Sequence, residues 1–170
     1  SPDYTEGDLA AVAIKARDWL ERQRGADRLG IMLDLHFGGE PLPGAFVVVP
    51  DSPGDAWADN GLDVALAGHI VSKIHETTGL GFRSTTQPGI MSERATGVGG
   101  QGYRLGMFSL TASARSYAVR LVVEHGALNQ PIDRAIITQP GFYDRVAGAA
   151  VRGIVAWADA ERAAILDIVG

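Results

Sequence analysis

Apolar residues recur along the chain with two different periods, which predict alternating helices and strands. A helical spacing follows residues 5 to 8, where Thr5 and Asp8 form a pattern typical of a helix start. Residues 29 to 37 instead alternate, so that Asp34 and His36 share one face of a predicted strand and the larger aliphatic residues share the other. This strand ends close to His36.

The rest of the chain continues the alternation. Residues 45 to 50 and 116 to 124 are apolar runs rich in β-branched side chains and predict two further strands. Helical spacing predicts helices over residues 62 to 78 and 142 to 157, and the glycine-rich stretch 89 to 106 predicts a surface loop. The pattern indicates an α/β fold: a single layered domain with a mostly parallel or mixed sheet, flanked by helices on both sides.

Composition narrows the class of protein. A chain of 170 residues with 46% apolar positions is sufficient for one domain, which we expect to span residues 1 to 170. The absence of cysteine excludes disulfides and thiolate metal sites. A net charge of -5 with scattered arginines argues against nucleic acid as a partner, and the apolar runs are shorter than the ~18 residues of a membrane span. We expect a monomer.

Two candidate functional side chains follow short apolar runs. His36 and Glu124 come at the ends of predicted strands, and sites of α/β sheets form at the carboxyl ends of strands. A histidine at the end of a strand, such as His36, is more often a structural residue than a metal ligand. Glu124 directly follows Leu-Val-Val and would be desolvated, which is costly unless the carboxylate is paired or functional. An imidazole and a carboxylate suit a zinc hydrolase, with His36 as a ligand and Glu124 as the proton carrier.

Three stretches resemble the zinc-dependent N-acetylmuramoyl-L-alanine amidases of the third amidase type, which act in bacterial wall remodelling and in phage endolysins. Residues 32 to 39 resemble the family's strand with a zinc-binding histidine, and residues 121 to 133 its strand with the catalytic glutamate. Residues 142 to 157 resemble its closing helix with a Gly-Ile step. The resemblance implies Zn²⁺ as cofactor, His36 as a metal ligand, Glu124 as the catalytic residue and peptidoglycan or a muramyl peptide as substrate.

The chain departs from this family pattern at the metal ligands. The family has an earlier zinc-binding histidine, but no histidine precedes His36 in this chain, and Gly38 replaces the family's asparagine. The resemblance allows two assignments of the helix over residues 6 to 24. In one, Glu6 opens it as the family's glutamate ligand does and is the second metal ligand; in the other, it is the later helix that leads into the histidine strand, and both earlier ligands are missing. The absence of the family's earlier histidine ligand has two explanations: the domain lacks the family's N-terminal strand, or it has lost zinc.

Three functions therefore remain open. The amidase reading places the protein at the bacterial cell wall, either exported or periplasmic, or encoded by a phage and released to the wall. A zinc carboxypeptidase-like or N-formylglutamate-type amidohydrolase is the second, because Asp34 and His36 match the Asp-x-His strand of those enzymes. The third is a non-catalytic peptidoglycan-binding domain of the same fold.

Overall fold

The computed structural model contains four strands and five helices within its described residues. The strands are β1 (Gly30–Gly38), β2 (Phe46–Val49), β3 (Ile90–Ser92) and β4 (Ala118–Ala127). The helices are α1 (Glu6–Arg22), α2 (Leu62–Thr78), α3 (Pro131–Ile137), α4 (Phe142–Ala160) and α5 (Arg162–Val169). The structure describes residues 6–23, 29–38, 42–51, 60–83, 87–93, 108, 111, 113–114 and 118–169.

The four strands form one mixed sheet in the order β1-β4-β2-β3. The β1 and β4 strands run parallel, as do β2 and β3, whereas β2 and β4 pair antiparallel. Helix α2 packs its apolar side on one face of this sheet, and α1 contributes Leu20 to a cluster with Met32 and Ala118 on the other face. The predicted α/β fold with a mixed sheet is therefore confirmed.

The β3 strand lies inside the stretch for which the glycine content predicted a loop, so that prediction is wrong over residues 90 to 92. Gly89 explains the difference, because it adopts a left-handed backbone with φ of 70° and its carbonyl accepts a hydrogen bond of 2.8 Å from the Val47 amide. A Cβ at this glycine would lie 2.8 Å from a methyl group of Val71. The remainder of the predicted loop, residues 94 to 106, lies outside the described residues.

The main core lies between the sheet and the pair formed by α2 and α4. Leu121 and Val123 of β4 point into it and are fully buried, and so is Trp157 of α4. The two helices approach closely at Gly153, where an added Cβ would come within 2.8 Å of the Ile70 Cα atom. Among the helices of the described part, none is both long enough and apolar enough to cross a membrane.

We predict that Gly153→Ala lowers the free energy of unfolding by about 2 kcal/mol, because the methyl group meets helix backbone that cannot rotate away. Gly148→Ala in the same helix is the matched control. Its methyl group would meet only the end of the flexible Arg152 side chain, so the better helix propensity of alanine raises stability by about 0.5 to 1 kcal/mol. Urea unfolding of both variants measures the difference. Equal effects of the two substitutions would contradict the close approach of α2 and α4.

Candidate active site

One row of side chains crosses three strands of the sheet and contains both predicted residues. His36 of β1 is the direct neighbour of Glu124 of β4, and Phe46 of β2 is the neighbour of Glu124 on its other side. Paired residues of adjacent strands point to the same face, and adjacent strands are separated by about 4.8 Å. The structure therefore brings the imidazole and the carboxylate together on one face, although both strands continue beyond them, to Gly38 and Ala127.

Asp34 lies two residues before His36, on the same face of β1. The Nε2 atom of His36 lies 3.1 Å from the Oδ1 atom of Asp34, and both side chains stay accessible, at 44% and 36% exposure. The hydrogen bond to Asp34 raises the pKa of His36 above its ordinary 6.5, and the charges of Asp34 and Glu124 act in the same direction against the opposing effect of burial. The site therefore favours a positive charge on this imidazole.

Glu124 is more enclosed than His36. Its Oε2 atom is buried, and Phe46 beside it is 4% exposed. The guanidinium carbon of Arg83 lies 4.6 Å from the centre of the Phe46 ring. The sequence analysis missed Phe46 because its place in the row depends on the antiparallel pairing of β2 with β4, for which the sequence contains no local signal. It missed Arg83 because this residue reaches Phe46 through a backbone hydrogen bond to Ala45, far away in the sequence. A half-buried carboxylate next to an accessible imidazole is an arrangement that can accept and release a proton.

His125 follows Glu124 directly and points to the opposite face. Its side chain is buried, its Nδ1 atom donates a hydrogen bond to the backbone carbonyl of His36, and its ring lies 5.3 Å from that of Phe37. Burial lowers the pKa of His125, so its neutral form is favoured. This histidine is a structural residue that ties β4 to β1 at the level of the site.

Asp133 of α3 holds the loop end of β4. Its Oδ2 atom accepts hydrogen bonds from the amides of Ala127 (2.9 Å) and Gly44 (2.8 Å), and the side chain is 2% exposed. Gly126 makes this approach possible, because it has φ of 98° and a Cβ there would lie 3.1 Å from the same carboxylate oxygen. In the sequence, Asp133 is only the last residue of the stretch 121 to 133 that carries the resemblance, and the structure gives it a role in positioning the strand that carries Glu124.

The predicted metal ligands are only partly represented in the structure. Glu6 is the first residue of α1, but its side chain lies outside the described part, whereas His36 and Glu124 are neighbours. A catalytic zinc requires about three protein ligands. Within the described residues, no three histidine, cysteine or acidic side chains are grouped so that they could hold a metal ion. The described side chains by themselves do not fit a zinc ion.

Comparisons with known proteins support the fold. No family model matches the sequence, and no curated protein matches it either. Among solved structures, the chain is similar to the N-acetylmuramyl-L-alanine amidase Ami1 of Mycobacterium smegmatis, with a TM-score of 0.63 and 19% identity over 87% of this chain. The apo form of Ami1 from Mycobacterium abscessus gives a TM-score of 0.58 and 19% identity over 84% of this chain.

A third solved structure comes from another bacterial group. The CwlD amidase of Clostridioides difficile, in complex with the GerS lipoprotein, has a TM-score of 0.58 and 12% identity, and the match covers 94% of this chain and 72% of that protein. The chain spans 61% and 60% of the lengths of the two mycobacterial proteins. At these identities the likeness shows a shared fold.

We predict that Asp133→Ala lowers the free energy of unfolding by about 3 kcal/mol, because two buried amides lose their acceptor. Asp133→Asn keeps one carbonyl oxygen and is expected to cost less. Asp144→Ala, an exposed acidic residue in the first turn of α4, is the matched control and should leave stability nearly unchanged. Urea unfolding measures all three variants. A loss for Asp133→Ala no larger than that of the control would contradict the role given to this carboxylate.

We predict from the pKa directions that His36 titrates above 6.5 and His125 below 6.5 in an NMR titration of the imidazole protons. Protonation of His36 stabilises the fold, fully at pH values below 6.5, and this contribution is lost as the pH rises through the raised pKa. Burial of neutral His125 has the opposite sign, so its contribution is present above 6.5 and is lost as the pH falls through the lowered pKa. Asp34→Asn should lower the pKa of His36 and leave that of His125 in place. A His36 pKa that does not respond to this substitution would contradict the assignment.

Proposed function

We propose that this chain is an amidase-like catalytic domain that hydrolyses the amide between N-acetylmuramic acid and L-alanine in peptidoglycan. The observation that carries the proposal is the pairing of His36 with Glu124, side by side on one face of the sheet. Its support comes from the shared fold with solved N-acetylmuramyl-L-alanine amidases. The location that follows from this substrate is the bacterial cell wall, reached by export or by release of a phage-encoded protein.

Glu124 is the proton carrier in this proposal. A water molecule attacks the carbonyl carbon of the lactyl group, and the Glu124 carboxylate takes its proton as the new C–O bond forms. The same carboxyl group then gives the proton to the nitrogen of the leaving alanine as the C–N bond breaks. The products are the lactyl carboxylic acid and the free amine, which become a carboxylate and an ammonium group by proton exchange with water, and Glu124 returns to its starting carboxylate state.

His36 would stabilise the oxygen that becomes negatively charged in this reaction. Its imidazole is accessible, and Asp34 favours its protonated form, so it can donate a hydrogen bond or place a positive charge beside the carbonyl oxygen. The zinc ion that the resemblance implies would use His36 and Glu6 as ligands and supply Lewis acidity there. It would need at least one more ligand than these two, from outside the described residues.

A second candidate function is a non-catalytic domain that binds peptidoglycan. The lack of a three-donor group among the residues that the structure describes favours it. Such a domain would bind muramyl peptide through the same face of the sheet without breaking a bond. The amidase-like fold is compatible with both candidates, since fold alone does not determine catalysis.

The test is hydrolysis of a muramyl peptide by the purified chain, with the metal content measured on the same sample. Glu124→Gln should reduce turnover at least 100-fold, because loss of a general base has effects of about 10²- to 10⁴-fold. Glu76→Gln is the matched control, since Glu76 is an exposed carboxylate on α2 that pairs with Lys73. Turnover of this control should equal that of the unchanged protein.

The two candidate functions give different results in this experiment. An amidase cleaves the muramyl peptide, and the Glu124→Gln protein still binds it without cleaving it. A binding domain leaves the peptide intact in every sample, and Glu124→Gln then binds it as tightly as the unchanged chain does. That second pattern, with less than one metal ion per chain, would refute the amidase proposal.

A further inference from the structure

The outer edge of β1 is a long apolar strand edge. Within the described part of the chain, β1 pairs with β4 only. Its nine residues contain no proline or lysine, the residues that commonly protect exposed strand edges, and Leu35 is 52% exposed. An edge of this kind is a ready template for pairing with another strand.

An exposed apolar stripe on α4 continues this edge. The stripe consists of Tyr143, Val151 and Val155, which are 66%, 60% and 56% exposed and follow one another at multiples of four residues. The ring of Phe37 in β1 lies 6.0 Å from the ring of Tyr143, so the strand edge and the helix stripe meet. Exposed apolar side chains of both elements are therefore joined through one contact, and clustered exposed apolar side chains commonly mark an interaction surface.

We infer that a second copy of this chain covers both features by antiparallel pairing of the two β1 strands about Leu35. The sequence Leu33-Asp-Leu-His-Phe37 is self-complementary in that register. Asp34 lies opposite His36 of the second copy, Leu35 lies opposite its own equivalent, and Leu33 lies opposite Phe37. Each of the two cross-strand pairs then joins an imidazole to a carboxylate, and the exposed Leu35 becomes buried.

The symmetry of this arrangement also accounts for the helix stripe. Two antiparallel strands of one continuous sheet are related by a two-fold axis perpendicular to the sheet, so corresponding faces of the two copies lie on the same side. The α4 helices of both copies therefore lie on that side, each next to the shared edge through its Phe37 and Tyr143 contact. One rotation thus joins the two strand edges and places both helix stripes on the same side of the joined sheet.

The dimer adds a residue to the site of each copy. His36 already lies 3.1 Å from Asp34 of its own strand, and the pairing places Asp34 of the second copy beside it as well. Each imidazole is then flanked by two carboxylates in addition to Glu124. The proposed dimer differs from the monomer that the sequence analysis expects.

Two single substitutions and their mixture test the register. Asp34→His puts imidazoles opposite imidazoles in a homodimer, and His36→Asp puts carboxylates opposite carboxylates. Each variant alone should associate about tenfold more weakly than the unchanged chain, since both cross-strand pairs lose their complementarity. In a heterodimer of the two variants, both pairs again join an imidazole to a carboxylate. The equimolar mixture should therefore regain dimerisation, as measured by sedimentation velocity across a concentration series.

The mixture separates a lost interface from a lost fold, because unfolded variants would not recover on mixing. Leu35→Lys should give a monomer. The control Ile132→Lys, which changes an exposed aliphatic side chain of similar size on α3, should dimerise like the unchanged chain. A chain that stays monomeric at every concentration would overturn the inference, as would a mixture no more dimeric than its components. Neither measurement depends on hydrolysis, so the dimer and the amidase proposal can fail separately.

Discussion

The parallel pairing of β1 with β4 is the constraint on which the candidate site depends. It sets His36 against Glu124 in register, and the hydrogen bond from His125 to the His36 carbonyl joins the two strands at the same level. The register is strongly determined because β4 is covered on both faces, with residues 118 to 123 all buried. A shift by one residue would exchange the two faces of the strand and move Glu124 into the main core.

The end of β4 is held from the side opposite to the site. His125 bonds to the backbone carbonyl of His36, and Asp133 binds the amides of Ala127 and Gly44. These contacts act on backbone atoms and leave the side chains of His36 and Glu124 available for chemistry. The positive φ and the missing side chain of Gly126 allow Asp133 to approach, so a glycine and an aspartate seven residues apart act as one structural unit.

The sequence predicts those parts of the structure that depend on local periodicity. The β1 strand and the α2 helix agree with their predicted spans within about one residue, because alternation and helical spacing are properties of consecutive side chains. The β3 strand has only three residues, and Gly89 before it accepts a hydrogen bond from β2. The glycine content of this stretch predicted a loop. Phe46 joins the row at Glu124 through a pairing between distant segments, and such pairing leaves no local pattern.

The two histidines at the site show how the face of a strand determines the chemistry of a residue type. His36 lies beside two carboxylates on the accessible face, which raise its pKa, while burial on the other face lowers the pKa of His125. The negative field at His36 favours any cation on its Nε2 atom, whether a proton or a metal ion. Because a metal binds only the neutral imidazole, the proton and the metal compete for this nitrogen, and Asp34 strengthens both competitors. The outcome of that competition depends on how many further ligands bind the metal ion, since the hydrogen bond to Asp34 is enough to stabilise the protonated imidazole.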